Sequence, residues 1–185
     1  MIRKTPRKAV VTYLEQKERP KLTAPMPVNL HVALMRQDQM PLHFYRYLQY
    51  RIGRRWHWVA RLRLDDVALA ALVHSPETTI DVLYLDGAPT GLFELRAQQD
   101  DSVNIEYFGL MDHAHGMGLG RWFLKQAIDA AWELNPNKVT INTCTLDHPA
   151  ALPLYQKFGF EPIGQSDTFI HPLTDDDLLK IMKRD

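Results

Sequence analysis

The sequence predicts one domain of the α/β (α+β) class, with largely antiparallel strands flanked by helices. Two observations support this fold class. Alternating apolar and polar residues mark three consecutive strands in the middle of the chain, with Asp86-Gly87 as a hairpin signal between the first two. A glycine-rich turn then joins the third strand to an amphipathic helix. The chain has 185 residues, which suits a single domain with a sizeable core.

Strands are predicted where apolar residues alternate with polar ones or where β-forming residues are concentrated. In chain order they cover residues 9–15, 28–35, 79–85, 90–97, 103–111, 138–146 and 168–172. Prolines punctuate residues 19–27, which are therefore predicted to be an irregular connector. The turn at 98–102 leads into the strand that precedes the glycines.

Helices are predicted where apolar residues recur every three or four positions and a capping residue stands at one end. In chain order they are 38–50 ended by Gly53, a short helix capped by Asp65 or Asp66, 120–134, 148–158, and a last short helix capped by 174–177. In the third of these, Phe123, Ala127 and Leu134 are expected on the core face.

The predicted organisation is an N-terminal strand and connector at 1–27, a main domain at 28–173 and a short C-terminal helix at 174–185. No internal repeat or low-complexity segment suggests a second domain.

Composition argues against several classes of protein. Basic and acidic residues number 22 each, so no global field attracts nucleic acid or an anionic membrane. No apolar run approaches the roughly 20 residues of a membrane span, and the basic start at Arg3, Lys4, Arg7 and Lys8 precedes no signal-peptide core. Cys144 is the single cysteine, which rules out an internal disulfide and fits a cytoplasmic location.

The segment 110–124 has the character of an anion site. Gly116, Gly118 and Gly120 let the backbone turn tightly, and the following helix offers free N–H groups and a positive dipole end. A phosphate is the expected occupant. Two familiar phosphate motifs do not fit, because a dinucleotide fingerprint needs glycine where Arg121 stands and the Gly-Lys-Ser/Thr ending of a P-loop is absent.

The pattern that does fit is Arg/Gln-x-x-Gly-x-Gly/Ala, read here from His115 to Gly120 with histidine in the leading place. Tyr107-Phe-Gly-Leu-Met111 precedes it, and the Tyr155-containing segment 147–160 follows it. Over residues 28–172 the chain resembles the GNAT superfamily of acyl-CoA-dependent N-acetyltransferases. The alternative interpretation is a glycine-rich turn with no ligand.

The resemblance implies a curved sheet, splayed between strands 103–111 and 138–146 with the thioester of acetyl-CoA in the splay. The implied reaction is direct attack of a primary amine on acetyl-CoA in a ternary complex, without a metal. The cofactor-binding residues it implies are Leu110, Met111, His115, Gly116, Met117, Gly118, Leu119, Gly120, Arg121, His148 and Ala151. His148 stands where family members commonly carry an asparagine, and Arg121 has a solvated helix face as its alternative role.

Two catalytic roles, an acid and a base, also follow from the resemblance. Tyr155 is the expected general acid for the leaving thiolate, with an ordinary core tyrosine as the alternative. Glu106 is the expected base, acting through water, or else a rim carboxylate that only binds the amine. The family's catalytic glutamate usually stands nearer to the position of Asn104, which shares a strand face with Glu106, so Asn104 is included among the expected catalytic residues. A bulge in this strand would change which face each side chain occupies.

Trp56 and Trp58 lie in an unusual loop, where they are expected to form either one wall of the acceptor site or a hydrophobic hinge. The expected acceptor is a small-molecule or amino-acid amine, and a homodimer is one expectation for the oligomeric state. The alternatives are a protein N-acetyltransferase or an acyl-CoA-binding regulatory module without turnover. Asp112, His113, His115, Asp147 and His148 show no recognised metal-site spacing, and Cys144 is expected to be a small core residue rather than a nucleophile.

Overall fold

The structure is a computed structural model that describes residues 5–184. Its strands are β1 (Arg7–Gln16), β2 (Val32–Arg36), β3 (Thr78–Leu85), β4 (Ala88–Ala97), β5 (Ser102–Leu110), β6 (Lys138–Cys144) and β7 (Glu161–Ile170). They form one seven-stranded sheet in the order β2-β3-β4-β5-β6-β1-β7. Every neighbouring pair is antiparallel except β5 and β6, which run parallel. The predicted mixed and largely antiparallel sheet is confirmed.

The N-terminal strand lies inside the sheet. β1 pairs with β6 on one side, where Leu14 faces Ile141, and with β7 on the other, where Val11 faces Ser166. Both ends of the described chain therefore build the same part of the sheet. Arg3 and Lys4, which belong to the predicted basic start, lie outside the described residues.

The helices are α1 (Leu42–Gly53), α2 (Ala60–Arg63), α3 (Asp66–Val73), α4 (Leu119–Glu133), α5 (Ala151–Lys157) and α6 (Asp175–Met182). One buried cluster joins α1 and α3 to β3 and β4 through residues such as Leu48, Leu69 and Ile80. A second cluster, around Phe93 and Phe123, packs α4 and α5 against the sheet. None of the helices in the described range is long and apolar enough to cross a membrane.

Some element boundaries differ from the sequence expectations. β2 begins at Val32 rather than 28, because Asn29 adopts a φ of 61° in a turn. α1 begins at Leu42 rather than 38, since Pro41 disfavours helical backbone in the residue before it. β7 begins at Glu161 rather than 168, and most of its side chains are exposed, so no apolar alternation marks it.

The short helix α2 was not predicted from the sequence. Leu134 was expected on the core face of α4, but it is 46% exposed because α4 ends one residue before it. Two predicted helix caps are confirmed. Asp65 caps α3 by accepting a hydrogen bond from the Ala68 N–H, and Thr174 forms a capping box with Asp177 at the start of α6.

Candidate active site

The central opening of the sheet begins at Glu106. β5 and β6 pair from Ser102 to Ile105 only, although both strands continue well beyond that point. Opposite β4, Leu95 pairs with Ile105 and Glu94 pairs with Tyr107, so Glu106 is the extra residue of a β-bulge. A bulge bends its strand and ends regular pairing. The two strands consequently separate, and a cavity of about 580 Å³ lies at the opening.

The glycine-rich turn forms one end of this cavity. Gly116 and Gly118 have φ values of 79° and 77°, a left-handed conformation that glycine adopts without strain, and Gly118 is the N-cap of α4. A β-carbon at Gly116 would meet no atom within 4 Å, so the backbone is open to a ligand. The free N–H groups and the dipole of this 15-residue helix favour an anion here. The turn is therefore suited to an anion such as a phosphate group.

Three aromatic side chains stand beside the turn. The rings of His115 and His148 are 5.6 Å apart, and Trp56 packs against His148 at 5.1 Å. His148 Nδ1 accepts a hydrogen bond from the Ala150 N–H, which places the ring proton on Nε2. His115 Nε2 lies 3.1 Å from the carbonyl oxygen of Leu110, so the leading histidine of the motif is tied to the end of β5.

Tyr155 projects from α5 into the same cavity. It is 6% exposed, and its ring contacts Phe108 and Phe160. Asp147 accepts hydrogen bonds from the Thr143 hydroxyl and the Cys144 N–H, which fixes the turn that leads into α5. Burial, and to a smaller extent the Asp147 carboxylate, raise the pKa of the Tyr155 phenol. The phenol therefore keeps its proton at neutral pH.

Glu106 is held by a short chain of hydrogen bonds. Asn104 Nδ2 donates to Glu106 Oε1 at 2.9 Å, and Thr140 Oγ1 donates to Asn104 Oδ1 at 2.9 Å. Because Thr140 occupies the amide oxygen, the amide nitrogen faces the carboxylate. The predicted pair of Asn104 and Glu106 is thus brought together. Glu106 lines both the central cavity and an adjoining polar cavity of about 730 Å³, which also contains Asn104.

A buried polar network lies behind Glu106. Glu94 is fully buried, and its carboxylate accepts hydrogen bonds from Tyr45 and, at 2.7 Å, from Arg61 Nη2. Gln49 donates to the Tyr45 hydroxyl at 2.9 Å. The same Arg61 nitrogen lies 4.0 Å from Glu106 Oε2. Burial raises the pKa of Glu94, and the neighbouring Arg61 guanidinium opposes that shift.

Trp58 fits into a slot made by two glycines. A β-carbon added at Gly53 would lie 2.2 Å from the Trp58 Cβ, and one at Gly109 would lie 2.5 Å from Ile52 Cγ2 and 3.0 Å from Trp58 Cη2. The Trp58 indole also packs against the Tyr107 ring, with 5.0 Å between the ring centres. Side chains at either glycine position would therefore displace this part of the cavity wall.

The Trp56–Trp58 loop differs from the extended segment that the sequence suggested. Trp56 and Trp58 both donate backbone hydrogen bonds to the Gly53 carbonyl, and His57 has a φ of 58°, so the loop is a series of turns. The two indoles line one cavity but have different partners, His148 for Trp56 and Tyr107 for Trp58.

Most of the predicted site residues meet at this cavity. Its lining includes Trp56, Trp58, Glu106, Leu110, His115, Gly116, Gly118, Gly120, His148, Ala151 and Tyr155. Of the others, Met111 and Leu119 are buried in the core, while Met117 and Arg121 are exposed beside the turn. Lys125 pairs with Asp129 on the outer face of α4. Among residues 5–184, no three His, Cys, Asp or Glu side chains form a group able to hold a metal ion.

Several lining residues were not identified from the sequence. Val11 comes from β1, Asn142 and Cys144 come from β6, and Ile170 comes from β7. Burial and the Asp147 carboxylate raise the pKa of the Cys144 thiol, so it stays protonated. Glu94 could have been noticed as a lone acid within an apolar strand, but its pairing with Arg61 depends on the tertiary fold.

Comparison with known families gives one clear match. A sequence model described as the acetyltransferase (GNAT) family matches residues 33–160. A search of curated proteins found no match.

Solved structures resemble the whole fold at low sequence identity. A conserved protein of unknown function from Staphylococcus epidermidis is 14% identical, with a TM-score of 0.53 over 91% of this chain and 64% of that one. An IAA acetyltransferase from Bacillus cereus is 19% identical, with a TM-score of 0.53 over 72% and 79% of the two chains. A tandem GNAT protein from the clavulanic acid biosynthesis pathway is 12% identical, with a TM-score of 0.59 over 93% and 56%. The chain thus spans less than two thirds of the first and third of these proteins.

Proposed function

The chain belongs to the acetyltransferase (GNAT) family, and from that premise we propose that it transfers an acetyl group from acetyl-CoA to the primary amine of a small molecule or amino acid. One observation supports this proposal above the others. The anion-binding turn, the protonated Tyr155 phenol and the Glu106 carboxylate all open on one cavity. An acyl transfer to an amine needs a phosphate cradle, an acid and a base within one site.

Backbone N–H groups from Met117 to Arg121 would hold the diphosphate, with His148 and Ala151 along the same wall. When bound, acetyl-CoA supplies an activated acetyl thioester. Glu106 accepts a proton from the ammonium group of the acceptor, through a water molecule, so that the amine becomes nucleophilic. Tyr155 donates a proton to the departing sulfur. Trp56 and Trp58 line the acceptor side, which favours an amine with an apolar or aromatic body.

The net charge of zero supports a small acceptor, because it gives no broad charged surface for docking a protein substrate. Cys144 is the single cysteine and cannot form an internal disulfide, which is compatible with work in the cytoplasm.

The direct test measures release of coenzyme A from acetyl-CoA across a panel of amines. Turnover with at least one aromatic or apolar primary amine is expected, and Glu106→Gln should lower it. The matched control is Glu133→Gln, since Glu133 has an exposed side chain on the outer end of α4. Binding of acetyl-CoA without acetylation of any amine would favour a regulatory module, and activity on protein amines alone would favour a protein acetyltransferase.

A further inference from the structure

One guanidinium is shared unequally between two carboxylates. Arg61 Nη2 is 2.7 Å from Glu94 Oε1 and 4.0 Å from Glu106 Oε2. Its side chain is only 11% exposed, so both interactions operate with little screening by water. Arg61 therefore bonds to Glu94 while it remains close enough to act on Glu106 through its charge.

Burial explains why Arg61 stays with Glu94. The Glu94 side chain is 0% exposed, and a buried carboxylate without a partner is strongly disfavoured. Tyr45 donates a hydrogen bond to the other carboxylate oxygen, so both oxygens of Glu94 have a partner. Glu106 has less need of Arg61 as a hydrogen-bond partner, because its side chain is 28% exposed and Asn104 already donates to it.

Arg61 nevertheless has capacity for a closer contact with Glu106. Its Nε is buried and has no hydrogen-bond partner among residues 5–184. The guanidinium carbon lies 5.7 Å from the centre of the Tyr107 ring, the residue directly after the bulge. A small rotation would allow the fork of N–H donors to reach Glu106 if Glu94 no longer held it.

Such a contact would change the chemistry of Glu106. A guanidinium bonded directly to the carboxylate would stabilise its charge and occupy an oxygen that must face the acceptor. The proton affinity of Glu106 would fall, and so would its ability to take a proton from an ammonium group.

We propose that Glu94 is a positioning residue that retains Arg61 and so keeps Glu106 both oriented and basic enough to accept a proton from the acceptor amine. The proposal rests on the proposed function, in which Glu106 is the base. It assigns a role to a buried ion pair that lies outside the central cavity.

Other charged and titratable groups face Glu106 from the neighbouring elements. They are Arg61 from α2, Glu94 and Arg96 from β4, Tyr107 from β5, Lys138 from β6, and Glu77 and Asp100 from the adjoining turns. In the polar cavity, the positive charges of Arg96 and Lys138 are balanced by the negative charges of Glu77 and Asp100. Of these groups only Glu94 changes when it is replaced, and the loss of its own negative charge also lowers the Glu106 midpoint. The contribution of Arg61 is therefore the part of the fall that disappears when Glu94→Gln is made in the Arg61→Lys background.

The test is a pH titration of the Glu106 carboxyl carbon by NMR in the full-length protein, with the Glu106→Gln spectrum as the assignment. Glu94→Gln keeps the shape of the side chain but removes its charge, so Arg61 is released towards Glu106. The midpoint of the Glu106 titration should fall by about 1 pH unit. Asn104→Leu removes a donor to the charged carboxylate and should move the midpoint in the opposite direction.

Two further variants control for structural damage. Tyr45→Phe removes a hydrogen bond to Glu94 but leaves its charge, so the Glu106 midpoint should stay within about 0.3 pH unit of the parent. Arg61→Lys keeps the pairing with Glu94 but has a shorter reach towards Glu106, so the midpoint of the Glu106 titration should rise. This variant tests the influence of Arg61 on Glu106 if Glu94→Gln does not fold. An unchanged midpoint in folded Glu94→Gln, or an equal fall in Tyr45→Phe, would overturn the proposal.

A second readout separates this inference from the proposed function. The acid limb of the kcat/KM profile for the acceptor should move with the NMR midpoint in each variant. If the midpoints move and the acid limb does not, Glu94 still controls Arg61 but Glu106 is not the base.

Discussion

A methyl group at position 109 would test whether Trp58 is held in place by the glycine slot. In Gly109→Ala the new β-carbon would lie 2.5 Å from Ile52 Cγ2 and 3.0 Å from Trp58 Cη2, well inside ordinary contact distances. Overpacking of this kind costs about 1–3 kcal/mol. Replacing glycine by alanine in a strand otherwise contributes about 0.5–1 kcal/mol of stability. We therefore expect a net loss of up to about 2.5 kcal/mol, which lowers the Tm by up to about 10 °C.

The matched control is Gly164→Ala. Gly164 also lies in a strand, but a β-carbon there would meet no atom within 4 Å. That variant should be as stable as the parent or slightly more stable. Urea unfolding of both variants measures the difference directly. In kinetic assays, Gly109→Ala should raise the acceptor KM by about 10-fold without a comparable change for acetyl-CoA, since the Trp58 indole is displaced.

Combining the substitution with Trp58→Ala sharpens the test. Without the indole, alanine at 109 loses its close contacts with Trp58 but keeps the closer one with Ile52. Its cost should therefore fall in part, with a coupling of about 0.5–3 kcal/mol between the two positions. At Gly53 the close contact is with the Trp58 Cβ, which alanine retains, so Trp58→Ala should not rescue Gly53→Ala. The slot is refuted if Gly109→Ala matches Gly164→Ala in stability and in acceptor KM.

Three other predictions concern the cofactor turn, the acceptor wall and the acid. Gly118→Asp places a side chain and a negative charge in the turn, so calorimetry should detect no acetyl-CoA binding to the folded variant, and unchanged affinity would end the cofactor assignment. Trp58→Ala should raise the acceptor KM with little change for acetyl-CoA, whereas equal effects on both would favour a hinge role for the loop. Tyr155→Phe should lower kcat by about 10²-fold or more with acetyl-CoA affinity changed by less than about 10-fold, and full kcat would make Tyr155 a core residue only. Its control is Tyr47→Phe, at an exposed position on α1.

Elements that depend on neighbouring residues in the chain were predicted well, whereas those that depend on distant residues were not. β3, β4 and β5 were predicted because alternation and a hairpin turn are local features. The start of β7 was missed because its residues around Gln165 are exposed, and only pairing with β1 makes them a strand. The position of β1 inside the sheet depends on partners that lie more than a hundred residues away in the chain.

The site shows the same limit. The turn at Gly116–Gly118 and the position of Tyr155 were predicted because each belongs to a short motif. The bulge at Glu106 depends on how β4 and β5 align, which alternation alone does not determine. The contact between Arg61 and Glu94 joins residues 33 positions apart, and Arg61 lies on a short helix that the sequence did not indicate.

The bulge at Glu106 also determines which kind of ligand suits the opening. Beyond Ile105 the edge of β5 that faces β6 is without its ladder partner, while the rest of the cavity wall is largely aromatic and aliphatic. Backbone polar groups in such a setting need hydrogen-bond partners, and His115 supplies one for the Leu110 carbonyl. An extended ligand that carries amides, as the pantetheine arm of coenzyme A does, would pair with the remaining groups, whereas a plain hydrocarbon chain would leave them unsatisfied. The strand separation and the glycine-rich turn therefore support the same proposed ligand, the first through its free backbone groups and the second through a helix N-terminus.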